Sequence, residues 1–87
     1  MKTIWKYDFE ITDLFFLDLP RHASILHVDM QLGRACMWVL VDTSEWKIVR
    51  RNFLVAGTGH PLPDDPGWQW VATFQNPPHV WHLFELA

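Results

Sequence analysis

Eighty-seven residues, 49% of them hydrophobic and 20% charged, with a formal net charge of −3, make one small domain that buries only roughly 60–65% of the surface its unfolded chain exposes. The acidic balance argues against a domain built to neutralise the phosphates of duplex nucleic acid. The single cysteine, Cys36, excludes an intramolecular disulfide and any cysteine-pair metal knuckle.

No cationic leader with an apolar core opens the chain, and no apolar run reaches the roughly 20 residues of a membrane span. A soluble, cytoplasmic protein without a membrane partner is therefore the expectation. Six tryptophans are more bulk than one thin core readily covers. Part of that surface is expected to lie against another subunit or a ligand, so self-association into a homo-oligomer is predicted.

Thr3 to Glu10 alternates, with Trp5, Tyr7 and Phe9 on one face and Lys6, Asp8 and Glu10 on the other, which is the period of a half-buried strand. Leu14 to Leu19 reads as a second strand stopped by Pro20, with Leu17 and Leu19 inward and Asp18 outward. Helical spacing competes only here, through Leu14 with Leu17 and Phe15 with Leu19. Leu26, Val28 and Met30 alternate with His27 and Asp29 in a third strand, and Leu32-Gly33 signals a hairpin. Ala35 to Val41, apolar on both faces, predicts a central strand covered on both sides, with Cys36 as a buried small hydrophobe.

Asp42 to Glu45 is turn chemistry, and Trp46 to Ala56 reads as a long strand whose Arg50 and Arg51 point to opposite faces. Trp68 to Gln75 follows with Trp68, Trp70, Ala72 and Phe74 in one row, then the break Asn76-Pro77-Pro78. Val80 to Leu86 closes the chain with Val80, His82, Phe84 and Leu86 in one row. Strand-like segments at about ten-residue spacing, none with a helical period, predict an all-β fold, a small sandwich or barrel of about six to seven antiparallel strands.

Between the last long strand and Trp68 runs Gly57-Thr58-Gly59-His60-Pro61-Leu62-Pro63-Asp64-Asp65-Pro66-Gly67. Its glycines permit positive φ and its prolines fix φ near about −65°, so the segment is irregular yet stiff. Backbone N–H groups of Gly57, Thr58, Gly59 and His60 could form an anion-binding nest. Arg50 or Arg51 would supply a bidentate cation, and Trp68 or Trp70 a face for a base. The plainer alternative is a turn in which His60 bonds its own backbone and the aspartates cap nearby N–H groups. His60 with Asp64 and Asp65 matches no metal-ligand spacing, no nucleophile has an evident base, and no cofactor is predicted.

The start Met1-Lys2-Thr3-Ile4-Trp5-Lys6-Tyr7, the Cys36-Met37-Trp38 run, Gly57-Thr58-Gly59-His60-Pro61 with Pro63-Asp64-Asp65, and Val80-Trp81-His82 together resemble a family of small proteins, roughly 80–90 residues long. They are encoded mostly by bacteriophages and prophages and have no known function. The resemblance spans nearly the whole chain and assigns no catalytic residue. It implies a phage accessory protein inside an infected bacterium. By analogy with other families of small phage proteins, such a product counters host defence. The leading expectation is a non-enzymatic, self-associating protein that binds a small anionic ligand, such as a nucleotide immune signal, through Arg50, Arg51, Gly57, Thr58, Gly59, His60, Trp68 and Trp70. The competing one is an inhibitor of a host protein complex, or a structural accessory, that uses an exposed aromatic patch.

Overall fold

A computed structural model describes residues 1–87 as seven strands without a helix: β1 Lys2–Phe9, β2 Leu14–Pro20, β3 Ser24–Gln31, β4 Arg34–Asp42, β5 Ile48–Gly57, β6 Trp68–Asn76 and β7 His79–Leu86. They form a three-stranded sheet, β1-β4-β3, and a four-stranded sheet, β2-β5-β7-β6. All ladders are antiparallel. The predicted all-β architecture is the one observed, as a two-sheet sandwich, and Leu14 to Pro20 is strand rather than helical turn.

The inward rows follow from two-residue periodicity. From the three-stranded sheet come Phe9, Val28, Ala35, Met37, Val39 and Val41, and from the other Leu19, Phe53, Val55, Phe74 and Leu83, all in one buried cluster. Phe15 stacks on Phe9 and on Phe53 with ring centroids 4.9 and 5.1 Å apart, and Phe9 meets Phe74 edge-on at 6.0 Å, so aromatic contacts join the two sheets. Arg51 closes one end of this interior. Its guanidinium reaches both Glu85 oxygens, at 2.6 and 2.8 Å, and donates to the Ala23 carbonyl at 2.6 Å.

Two bulges change the predicted rows. The register of β3 shifts between Ile25 and His27, which turns Ile25 toward the core and leaves Leu26 exposed. The register of β6 shifts between Trp70 and Ala72. Phe74 and Ala72 therefore face inward while Trp68 and Trp70 fall on the opposite face, because one extra residue reverses side-chain parity. Trp46 lies outside β5 and is exposed. The Glu45 carboxylate accepts from Lys47 N–H, and the Lys47 carbonyl accepts from Arg21 N–H, so the chain turns there before pairing begins.

Leu32 and Gly33 both have positive φ, 51° and 79°, as a two-residue hairpin of the twist-matched type requires. At the far end of β4, Ser44 donates side-chain and backbone hydrogen bonds to Asp42 and, with the terminal amine, pulls its carboxyl down to about 2.

Strand order sets the course of the longest connection. Because β5 and β6 both run antiparallel to β7, they are parallel to each other, and the segment joining them must travel back along β7. It does so across the outer face of the four-stranded sheet. His60, Pro61, Leu62 and Pro63 line a groove with Leu54 and Ala56, and both of those outward residues are buried.

Candidate functional site, the outer face of the four-stranded sheet

On that outer face the registers align side chains in rows. Asp18 is opposite Arg50. Next come Phe16 with Asn52, and Trp68 with Leu86, which continue one place beyond the Phe53–Glu85 pair. The third row is Leu14, Leu54, Phe84 and Trp70, and the fourth holds Ala56, His82 and Thr73. The proline-rich crossover covers Leu54 and Ala56 but not their neighbours. Leu14 is 64% exposed, Phe16 51%, Trp70 61% and Leu86 36%. A recess of about 320 Å³ lies among Leu14, Phe16, Asn52, Trp68 and Leu86. The corresponding face of the other sheet carries polar pairs among its exposed Ile4 and Leu26: Asp8 pairs with Arg34 at 3.1 Å, Lys6 donates to Gln31 at 2.8 Å, and His27 stands 3.6 Å from Asp29.

Hydrogen bonds pin one edge of the apolar face. Trp70 Nε1 donates to Thr73 Oγ1 at 3.1 Å, and the His82 ring bridges Thr73 Oγ1 at 2.9 Å and Thr58 Oγ1 at 2.8 Å. Thr58 Oγ1 donates onward to the Val80 carbonyl at 3.4 Å. With His82 protonated on Nε2, every donor in this chain points the same way, from the Trp70 indole to Val80, and no polar atom is left over. The exposed indole is thereby held in one orientation.

The predicted ligand residues are distributed differently. Arg50, Trp68 and Trp70 share the outer face, and Thr58 reaches it through His82. Arg51 lies on the inner face against Glu85. Arg50 is held by Asp18 at 3.1 Å and lies 3.8 Å over the Phe16 ring. The Asp18 hydrogen bond, then its charge, raises the Arg50 pKa. Arg50 and Gly57 sit on the order of 23 Å apart along an extended strand at ~3.3 Å per residue.

The glycine turn also spends its own donors. Gly57 N–H donates to His60 Nδ1 at 3.3 Å, Thr58 N–H to the Val80 carbonyl at 3.2 Å and His60 N–H to the Gly57 carbonyl at 3.0 Å. Gly59, at φ 87°, supplies the left-handed residue of the turn. Asp65 Oδ1 caps Gly67 N–H at 2.8 Å. No group of three or more histidine, cysteine or acidic side chains gathers anywhere in the fold. Cys36 Sγ lies 3.5 Å from Asp8 Oδ1, and burial, with that bond, pushes its thiol up.

Gly57 is needed for close approach: a Cβ there would stand 2.8 Å from His60 Cε1 and 3.2 Å from Trp81 Cζ3. Gly57→Ala is therefore expected to expel the imidazole and cost about 1 kcal/mol, the usual net value of a hydrogen bond. In a urea-denaturation cycle the loss should be far smaller when His60→Ala is already present. Equal losses in both backgrounds would mean that His60 is not what meets the new methyl.

Sequence reasoning located Trp68 and Trp70 but missed their companions Leu14, Phe16, Phe84 and Leu86. The signal was present in the outward parity of β2 and β7. The bulge that brings the tryptophans to the same side leaves no trace in periodicity.

Comparison with known proteins matches the whole chain to a family. The family model described as a domain of unknown function, DUF7352, covers residues 1–87. The chain matches no curated protein and no solved structure.

Proposed function

This chain belongs to the DUF7352 family, which assigns no activity, and we propose that it is a non-enzymatic interaction protein whose working surface is the outer face of its four-stranded sheet. The observation that carries this reading is the contrast between the two outer faces. The face of the three-stranded sheet carries the Asp8–Arg34 pair and the Lys6–Gln31 bond, with Ile4 and Leu26 exposed among them; that of the four-stranded sheet exposes Leu14, Phe16, Trp70 and Leu86, with the Asp18–Arg50 pair at its margin. An exposed apolar surface with aromatic anchors and a flanking arginine has the composition of a protein-binding surface. The Trp70–Thr73–His82–Thr58 chain supports it further, because an indole held before contact loses less freedom on binding.

The phage-type resemblance of the sequence supplies the biological frame: an accessory protein in the cytoplasm of an infected bacterium, acting in more than one copy and occupying a host defence protein. A nucleotide signal at the glycine turn is disfavoured, since both arginines and most of the turn's N–H groups are engaged within the chain.

The test is capture of a host protein in fixed stoichiometry by the wild-type chain, compared with Phe16→Ser/Trp70→Ser and with Gly59→Ala. The double substitution should abolish capture while far-ultraviolet circular dichroism stays unchanged, and Gly59→Ala should retain it. Calorimetry with cyclic and linear nucleotides should register no heat. A nucleotide heat that disappears with His60→Ala would transfer the function to the crossover.

A further inference from the structure

A sandwich of two open sheets has edge strands, and an unpaired edge is a template for another strand. Three of the edges here are blunted. β2 ends in Pro20, which has no N–H to offer a further strand. β3 and β6 carry the two bulges and run side by side, lining a common groove from Ile25–Val28 and Trp70–Thr73. β1 differs. It holds one unbroken register with β4 from Lys2 to Phe9, has no proline or bulge, and has no strand on its other side.

The direction of its free groups follows from one bond. Thr43 N–H donates to the Met1 carbonyl at 2.8 Å, so Met1 and the odd residues after it turn their peptide groups toward β4. By the alternation of an antiparallel ladder, Lys2, Ile4, Lys6 and Asp8 turn their N–H and C=O outward.

We propose that this edge pairs with the β1 edge of a second copy, antiparallel and centred on Trp5, joining two three-stranded sheets into one continuous sheet. In this register Lys2 is opposite the partner's Asp8 and Ile4 is opposite the partner's Lys6. Every outward N–H and C=O of those four residues meets a complementary group. Lys2 has no ion pair within its own chain, and the pairing places it against a carboxylate at both ends of the two-fold.

Lysines on an edge ordinarily deter pairing; in this register each lies opposite a carboxylate or Ile4 and none opposite a like charge. Sliding the register by two residues one way sets Lys6 against Lys6, and the other way sets Lys2 against Lys6. The Trp5-centred register is thus selected over its neighbours. It also brings together the two Trp5 side chains, each 43% exposed in the single chain, at the close, non-hydrogen-bonded spacing.

This inference gives the self-association named in the proposed function its surface and leaves the aromatic faces of both copies free. Sedimentation velocity on the full chain, at concentrations up to about 1 mM (the weak end of specific association), should detect a dimer. Ile4→Pro removes an outward N–H without touching the β4 ladder and should give a monomer with an unchanged circular dichroism spectrum. Trp5→Cys should form an intermolecular disulfide on mild oxidation, and Ile4→Cys should not. A wild-type chain that stays monomeric, or a dimer that survives Ile4→Pro, overturns the pairing, and so does equal cross-linking at both positions. Neither result bears on host-protein capture, which tests the aromatic face separately.

Discussion

Replacing Phe53 by alanine is expected to unfold a large fraction of the protein at ambient temperature. The side chain is fully buried and stacks on Phe15 at 5.1 Å, which in turn stacks on Phe9 of the opposite sheet at 4.9 Å. Loss of a buried phenyl ring with incomplete collapse of the cavity costs about 3–5 kcal/mol, and the stacked geometry places Phe53 toward the upper part of that range. A domain of this length is held by roughly 4–13 kcal/mol in total. One substitution thus removes a large share of the available stability. Urea denaturation followed by tryptophan fluorescence should give a midpoint near zero denaturant for Phe53→Ala. Phe53→Leu, which keeps most of the volume, should lose far less, and a loss below about 1 kcal/mol for alanine would contradict a close-packed aromatic centre.

The second large effect is predicted at Arg51. Its side chain is only 21% exposed and that of Glu85 only 20%. The two-pronged contact with Glu85 and the bond to the Ala23 carbonyl tie β5 to β7 and to the segment that passes from one sheet to the other. Arg51→Met leaves a half-buried carboxylate and a carbonyl without their donor. Cutting one partner from a fully buried pair costs about 3–5 kcal/mol. Discounted for residual hydration, about 2–3 kcal/mol is expected here. The double variant Arg51→Met/Glu85→Leu should recover most of that loss, since paired charges replaced by apolar groups of similar volume are often neutral. The measurement is a double-mutant cycle in urea. Additive losses would mean that the two side chains do not stabilise one another.

The charge pair Arg50–Asp18 offers an internal comparison. It has the same chemistry one residue away in β5, but its partners are 59% and 46% exposed. Breaking it is expected to cost far less than breaking Arg51–Glu85, because water screens both partners. Adjacent arginines differ because the strand turns one toward solvent and the other toward the rim of the core.

Local chemistry determined the strands, the Leu32-Gly33 hairpin, the inward rows of β1, β2 and β5, and the opposite facing of Arg50 and Arg51. Each of these depends on alternation or on turn residues, which act over a few neighbouring positions. Tertiary structure alone decided that β7 enters the sheet between β5 and β6, and so converted Gly57–Gly67 from a presented loop into a strap over Leu54 and Ala56. It also decided that the bulge at Val71 turns Trp68 and Trp70 out beside Phe16 and Leu86. The physical reason is common to both. Strand order and register are set by which faces can be buried together, a property of the whole sandwich, whereas side-chain alternation is a property of each strand.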